Sequence, residues 1–298
     1  MNILIISTGG TIESRINSIS ISPSVDAKFQ LIEEYRKYEP SVEFSVITPY
    51  TVLSENLSAQ NLNLLIKTVK ENLEGGFNGI IITHGTDTLQ FSAAAVGFAA
   101  ADTKIPIIFV SSNYVLSDSR ANGHENFKAA AEYIRTGGKA GVFAAYKNEG
   151  GKAQIMPATG LYTFLEDTDF VLQAKTVSCG ERDFVLTDDC GILTVDPHPA
   201  DRYGYNLDGV KAVLFRPYHS GTLPTSSKNL NEFTTRAKAK NIPMFVCCAR
   251  DCVTYESAAE FERLGIIRLA HSPFAATFVK LWIGISENKN LVEFMTKK

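Results

Sequence analysis

The 298-residue chain has no apolar run approaching the roughly 20 residues that a membrane-spanning helix needs. It also lacks a basic excess. Its 29 Lys and Arg stand against 32 Asp and Glu, and a net charge of −3 argues against a nucleic-acid-binding surface. The G-x-G-x-x-G fingerprint of dinucleotide sites is absent, and no Gly-Lys-Ser/Thr follows the first strand to make a phosphate loop. The start, Met1-Asn2-Ile3-Leu4-Ile5-Ile6, has no basic segment and runs straight into an apolar run, so a secretory signal is not expected. The five cysteines are few and odd in number. Cys247, Cys248 and Cys252 cluster, but C-C-x-x-x-C without a nearby His is not a zinc pattern. Free thiols in a reducing compartment, no metal and a cytoplasmic location are the expectation.

What is present suits an ordinary globular protein: 45% hydrophobic and 20% charged residues, and enough length for one large or two smaller domains. Strand-like and helix-like stretches alternate over the first half. Strands are expected at 3–7, 42–48, 77–83, 105–110 and 141–146, with helices at 26–37, 57–72, 88–101 and 122–135. Ser58 is the expected cap of the second helix. Residues 13–24 show no clear period and read as a mobile loop. The order implies a parallel sheet with helices on both faces. A polar, acidic stretch around Cys179-Gly180 and Asp188-Asp189 reads as a linker. The expected division is a domain over 1–175, a linker over 176–190 and a smaller α/β domain over 191–298. In the last, strands are expected at 191–195, 212–215 and 243–247, and helices at 229–240, 257–264, 273–283 and 290–295.

Two threonine-bearing turns stand out. Asn2 to Ser7 ends in Thr8-Gly9-Gly10-Thr11-Ile12, and Gly79 to Thr83 ends in His84-Gly85-Thr86-Asp87-Thr88. Buried parallel strands end so, and open α/β sheets bind ligands beyond the carboxyl ends of their strands. A Thr hydroxyl needs a base or a hydrogen-bond network to become a nucleophile, and a second Thr beside an Asp would supply one. Backbone N–H groups of Gly85, Thr86 and Asp87 at a helix start suit a carboxylate or an oxyanion. Asp87 suits a substrate ammonium. Such a pocket fits a zwitterionic amino acid. Taken singly, each piece has an ordinary alternative: a tight turn at Gly9-Gly10, a hydrogen-bonded structural His84, and a helix cap over Thr86-Asp87-Thr88.

These two segments together resemble the signature segments of the bacterial-type L-asparaginases, the asparaginase/glutaminase family. Ser54-Glu55-Asn56-Leu57, Asn122-Gly123 through Phe127 and the C-terminal 275–285 are similar to further family segments. The resemblance implies a larger N-terminal α/β domain with the active site and a smaller C-terminal α/β domain. It implies a homotetramer, a dimer of dimers with active sites at interfaces. It further implies hydrolysis of L-asparagine to L-aspartate and ammonia without a cofactor. Thr11 would be the nucleophile, and Thr86 and Asp87 the second catalytic cluster. Gly10, Ser54, Glu55, Gly85, Thr86, Asp87 and Ser112 would bind the substrate. Ser54 would hold its α-carboxylate, and Asp87 with Glu55 its α-amino group. No nucleic-acid or membrane partner is implied.

The chain departs from the family in three places. The family lysine that supports the second Thr and Asp falls near Leu161, where no Lys stands; Lys147, Lys152 and Lys175 lie outside that turn. The loop after Thr11 has no Tyr, only Ser22 and Ser24, and the first Tyr downstream is Tyr35. Ser111-Ser112-Asn113 replaces a family Gly near the substrate amide. Alternatives to the asparaginase reading are a weak or inactive amino-acid-binding homologue, an amidase for another Asn-like substrate, and an amidotransferase-type subunit acting on charged tRNA. Arg120 and His124 flank Asn122-Gly123 and read as ligand contacts or as structural pairs. Tyr218 to Thr222 reads as a loop that reaches a site, its own or a partner's, or as a merely capped loop, and the resemblance puts Thr254-Tyr255-Glu256 where the family's C-terminal domain offers groups to the neighbouring site.

Overall fold

Five strands of the first half follow from their residue types. Ile, Leu, Val and Phe fill 3–6, 80–82 and 107–110, and a run apolar on both faces is stable only between two covering layers, whereas 43–47 alternates, with Glu43 exposed. In the computed structural model, which describes residues 1–16, 21–23, 25–163, 170–172, 176–248, 255–271 and 273–297, the strands are β1 Asn2–Ser7, β4 Glu43–Ile47, β5 Gly79–Thr83, β6 Pro106–Val110 and β7 Gly141–Tyr146. They form a parallel sheet in the order β4-β1-β5-β6-β7. The edge is closed by an antiparallel strand, β8 Gln154–Pro157, that the sequence pattern did not announce. The expected strand bounds agree with these to within two residues.

Four helices cover the sheet: α1 Val25–Tyr38, α2 Ala59–Asn72, α3 Leu89–Ala99 and α4 Gly123–Arg135. On one face Leu31, Ile32 and Tyr35 of α1 join Phe127, Ala130, Ala131 and Ile134 of α4 over Ile3, Ile5, Ile81, Ile108 and Val110. Ser58 caps α2, accepting from Asn61 N at 3.2 Å while the Asn61 side chain accepts from Ser58 N at 3.1 Å. Helix α3 is nearly all small and apolar, with Ala93, Ala94, Ala95 and Val96 fully buried.

The loop expected over 13–24 contains a short antiparallel hairpin, β2 Ser14–Ile16 with β3 Ile21–Pro23. Three-residue strands carry too little periodicity to be read from sequence. The same holds for the hairpin of β9 Leu161–Thr163 with β10 Phe170–Leu172.

The chain divides into two compact units, Met1–Leu172 with Gly180–Asp183, and Gln173–Cys179 with Phe184–Lys298. Residues 180–183 are held to the first unit by Asp183 on Lys70 (2.6 Å) and Arg182 on Asp102 (2.6 Å). The second unit is a four-stranded parallel sheet of β11 Ile192–Val195, β12 Ala212–Phe215, β13 Met244–Cys248 and β14 Ile266–Ala270, in that order. Strand β14 was not expected; it follows the left-handed Gly265 that ends the preceding helix. Its helices are α5 Lys228–Ala239, α6 Glu256–Leu264, α7 Phe274–Ser286 and α8 Leu291–Thr296. Both units are therefore α/β, as expected.

Candidate active site

The connections from β1 and from β5 leave in opposite directions. The chain after β1 runs by way of α1 to β4 on one side; the chain after β5 runs by way of α3 to β6 on the other. Two neighbouring strands whose connections diverge leave a crevice at their carboxyl ends, where open α/β sheets bind ligands. The two threonine turns are the loops that flank this crevice.

Close backbone packing draws them together. Gly9 and Gly10 have φ of 99° and 83°, the region that favours glycine. A β-carbon on Gly10 would overlap the Gly85 backbone and lie 2.8 Å from the His84 carbonyl carbon. A β-carbon on Gly85 would in turn overlap the Ser54 side chain. Gly9 also bridges to Val52, two residues before Ser54. Hence Gly10, Gly85 and Ser54, expected together from three distant stretches, are layered in contact.

Thr11 opens a 3-10 turn, Thr11–Glu13, and is partly exposed. Asp87 is exposed and accepts from the Ser54 hydroxyl at 3.2 Å. Thr86 donates its hydroxyl to the Ser112 carbonyl at 3.0 Å. Thr88, immediately before α3, donates to the Ser54 carbonyl at 2.9 Å rather than capping its own helix. Ser112 is buried, and its hydroxyl donates to Tyr114 O (2.6 Å) and accepts from Gly123 N (3.1 Å). Glu55 is exposed on the 3-10 turn Ser54–Asn56. Every expected site residue thus lies in the first unit, at this end of its sheet.

His84 has the structural role. Its Nδ1 bonds the Gly85 carbonyl at 2.8 Å and its Nε2 pairs with the Ser92 hydroxyl at 2.8 Å. Complete burial holds its pKa down at about 4, so it is a neutral imidazole. Arg120 pairs with Asp118 (2.7 Å) and lies over the Tyr114 ring, and His124 pairs with Glu34 at 3.0 Å. In the second unit, Tyr218 to Thr222 closes on itself, with Gly221 N on Tyr218 O (2.7 Å) and Ser220 beside Thr222 (2.8 Å). Ser24, Thr254, Lys175 and Cys252 lie outside the described residues.

The place of the expected lysine is apolar. Leu161 and Ala158 are buried, and the turn Ala158–Gly160 packs on α3 so closely that a β-carbon on Gly97 would lie 3.0 Å from Thr159 Cγ2. Lys147 is committed elsewhere: its Nζ lies 2.5 Å from Glu125, and its backbone is tied to Asn122 and Asn126.

Sequence reading missed two groups. Glu13 is buried (3% exposed), and its carboxylate accepts from Ser7 Oγ at 2.8 Å, from Gly9 N at 3.2 Å and from Thr83 Oγ1. It lay in a stretch read as loop, where a charged residue gives no sign of burial. Tyr50 stands beside the Thr8 hydroxyl, and burial raises its phenol pKa. Among the described residues no cluster of His, Cys, Asp or Glu is placed to hold a metal ion.

Residues 2–167, more than half of the chain, match the family described as "Asparaginase, N-terminal". The chain belongs to the asparaginase family. L-asparaginase I from Vibrio cholerae superposes on it with a TM-score of 0.78 at 18% identity, covering 100% of this chain and 97% of the other. A probable cytoplasmic L-asparaginase from Campylobacter jejuni gives 0.72 at 20% identity, covering 100% and 99%. The fold is therefore the two-domain asparaginase fold. In sequence the chain is also similar to one of the subunits of glutamyl-tRNA(Gln) amidotransferase from Methanosarcina acetivorans, 38% identical over 114 residues. That match takes in 37% of this chain and 26% of the relative, about a quarter of its length. No helix among the described residues is long and apolar enough to cross a membrane.

Proposed function

We propose that this asparaginase-family protein is an amidohydrolase that converts L-asparagine to L-aspartate and ammonia. The observation that carries the reading is the stacking of Gly10, Gly85 and Ser54 at the carboxyl ends of β1 and β5. It brings the Thr11 turn and the Thr86-Asp87 turn to one crevice. The exposed Asp87 carboxylate receives the substrate ammonium, helped by Glu55, which follows Ser54 in the chain, and Ser54 with the Gly85–Asp87 backbone receives the α-carboxylate. Thr11 Oγ1 then bonds to the side-chain amide carbon. Its proton passes to the amide nitrogen, and ammonia leaves from the tetrahedral adduct. Water cleaves the resulting ester, giving aspartate and restoring the Thr11 hydroxyl. Thr86 serves as the neighbouring hydroxyl, held by the Ser112 carbonyl. The reading places the protein in the cytoplasm as a homotetramer, with each site completed by a partner subunit.

The test is ammonia release from L-asparagine and L-glutamine by the purified protein and by Thr11→Ala. Turnover by the parent and its loss by at least about 1,000-fold in the variant is the expected result. Asparagine is favoured over glutamine, but one methylene discriminates by only about 1–3 kcal/mol, so some glutamine turnover is expected.

A second reading, an amino-acid-binding homologue without turnover, is favoured by the apolar packing of Ala158 and Leu161 where the family carries its lysine. Aspartate or asparagine would then raise the melting temperature while no ammonia appears.

A further inference from the structure

Ser7 and Thr83 are paired in register at the carboxyl ends of β1 and β5, the two strands that feed the threonine turns. Both donate their hydroxyls to one carboxylate, that of Glu13. The same carboxylate accepts the amide of Gly9. One side chain thus joins the end of β1, the end of β5 and the first glycine of the nucleophile loop. The backbone of Glu13 adds a fourth tie, since its N–H donates to the Gly10 carbonyl at 3.0 Å, which Ser14 Oγ also reaches at 2.8 Å. Thr11 therefore lies between fastened points: Gly9 and Gly10 on one side, Glu13 and Ser14 on the other.

A buried carboxylate is costly unless donors converge on it, and burial alone is served better by an apolar side chain. Three donors from two strands and one loop satisfy this one. A carboxylate offers lone pairs on both oxygens and takes all three; an amide would turn its N–H₂ toward one of them, and the Thr83 hydroxyl would then have to accept and swing its own proton to the Ile6 carbonyl, 3.4 Å away, which reverses the tie to β5. We propose that Glu13 is a positioning residue for the hydrolysis. It fixes the Thr11 hydroxyl relative to the Thr86-Asp87 turn by clamping the β1 and β5 ends together. This rests on the reading of Thr11 as nucleophile. Misplacing a reacting group by about 1 Å can cost on the order of 100-fold in rate, so such a clamp acts on kcat rather than on substrate affinity.

The experiment compares the parent with Glu13→Gln, measuring kcat, KM and the melting temperature. The expected result is a fall in kcat of at least about tenfold with KM within about threefold of the parent. A kcat within about twofold of the parent, whatever happens to the melting temperature, would make Glu13 merely structural and overturn the proposal. If Glu13→Gln does not fold, Ser7→Ala and Thr83→Val each remove one donor and are judged by the same two criteria. An inactive parent would overturn the amidohydrolase reading and the Glu13 role with it. An active parent with full kcat in the variant overturns the Glu13 role alone.

Discussion

Gly10 and Gly85 meet backbone to backbone, with no room for a β-carbon on either. The two residues are 75 positions apart in the chain. Their contact is what converts two separate strand-ending turns into one crevice. Gly10→Ala would add both a clash against a backbone that cannot retreat and a methyl at φ 83°. Overpacking and the left-handed conformation together are expected to cost on the order of 3 kcal/mol. Gly204→Ala is the control, since a β-carbon there meets nothing within 4 Å. Urea denaturation should show it within about 0.5 kcal/mol of the parent. A Gly10→Ala protein as stable as that control would mean the two turns are not packed as described.

Thr86 donates to the Ser112 carbonyl, so its hydroxyl is oriented by backbone rather than by a cation. Thr86→Ser keeps the donor and should retain ammonia release within about tenfold. Thr86→Val removes it at nearly constant volume and should lower kcat by at least about 100-fold. A Thr86→Val protein as fast as the parent would show that the hydroxyl is dispensable, and a Thr86→Ser protein slower than Thr86→Val would assign the role to the methyl packing instead.

The legible parts of this chain were those where residue type and position reinforce each other. Ile80, Ile81 and Ile82 ending in Thr83-His84-Gly85 could be read as a buried strand feeding a turn, because no polar residue interrupts the run. Ser58 could be read as a cap because its partner Asn61 lies three residues on. Glu13 could not. Its burial depends on Ser7 and Thr83, and Thr83 reaches it only after β5 has paired with β1. Strands β2, β3, β9 and β10 span three residues each, too few for alternation to show. The fate of the missing lysine was likewise tertiary. Only the packing of Ala158–Gly160 on α3 reveals that its place is filled by apolar side chains.

Asp87 accepts from Ser54 and is otherwise open to solvent, which suits a group waiting for a substrate ammonium. Asp87→Asn keeps the shape and an acceptor but removes the charge. A charge-assisted bond is about twice as strong as a neutral one, so KM for asparagine should rise by roughly 10- to 100-fold. The rise should shrink for a substrate analogue that lacks the α-amino group. An Asn variant with unchanged KM would move ammonium recognition to another carboxylate, with Glu55, the chain neighbour of Ser54, the next candidate.

His84 predicts a pH dependence of stability rather than of catalysis. Its folded pKa is about 4, lowered by burial from an ordinary value of 6.5. Below pH 6.5 the unfolded chain takes up a proton that the folded chain refuses until near pH 4. The unfolded state therefore binds more protons in this window, and stability falls as pH falls from 6.5 toward 4. Between pH 7 and pH 5 this one residue is expected to remove about 2 kcal/mol. His84→Gln can still pair with Ser92 but does not titrate. Urea denaturation of both proteins at pH 7 and pH 5 should show a pH-dependent loss smaller by about that amount in the variant. Identical losses would mean that His84 takes up its proton as readily in the folded chain as in the unfolded one, and that its burial does not hold it neutral.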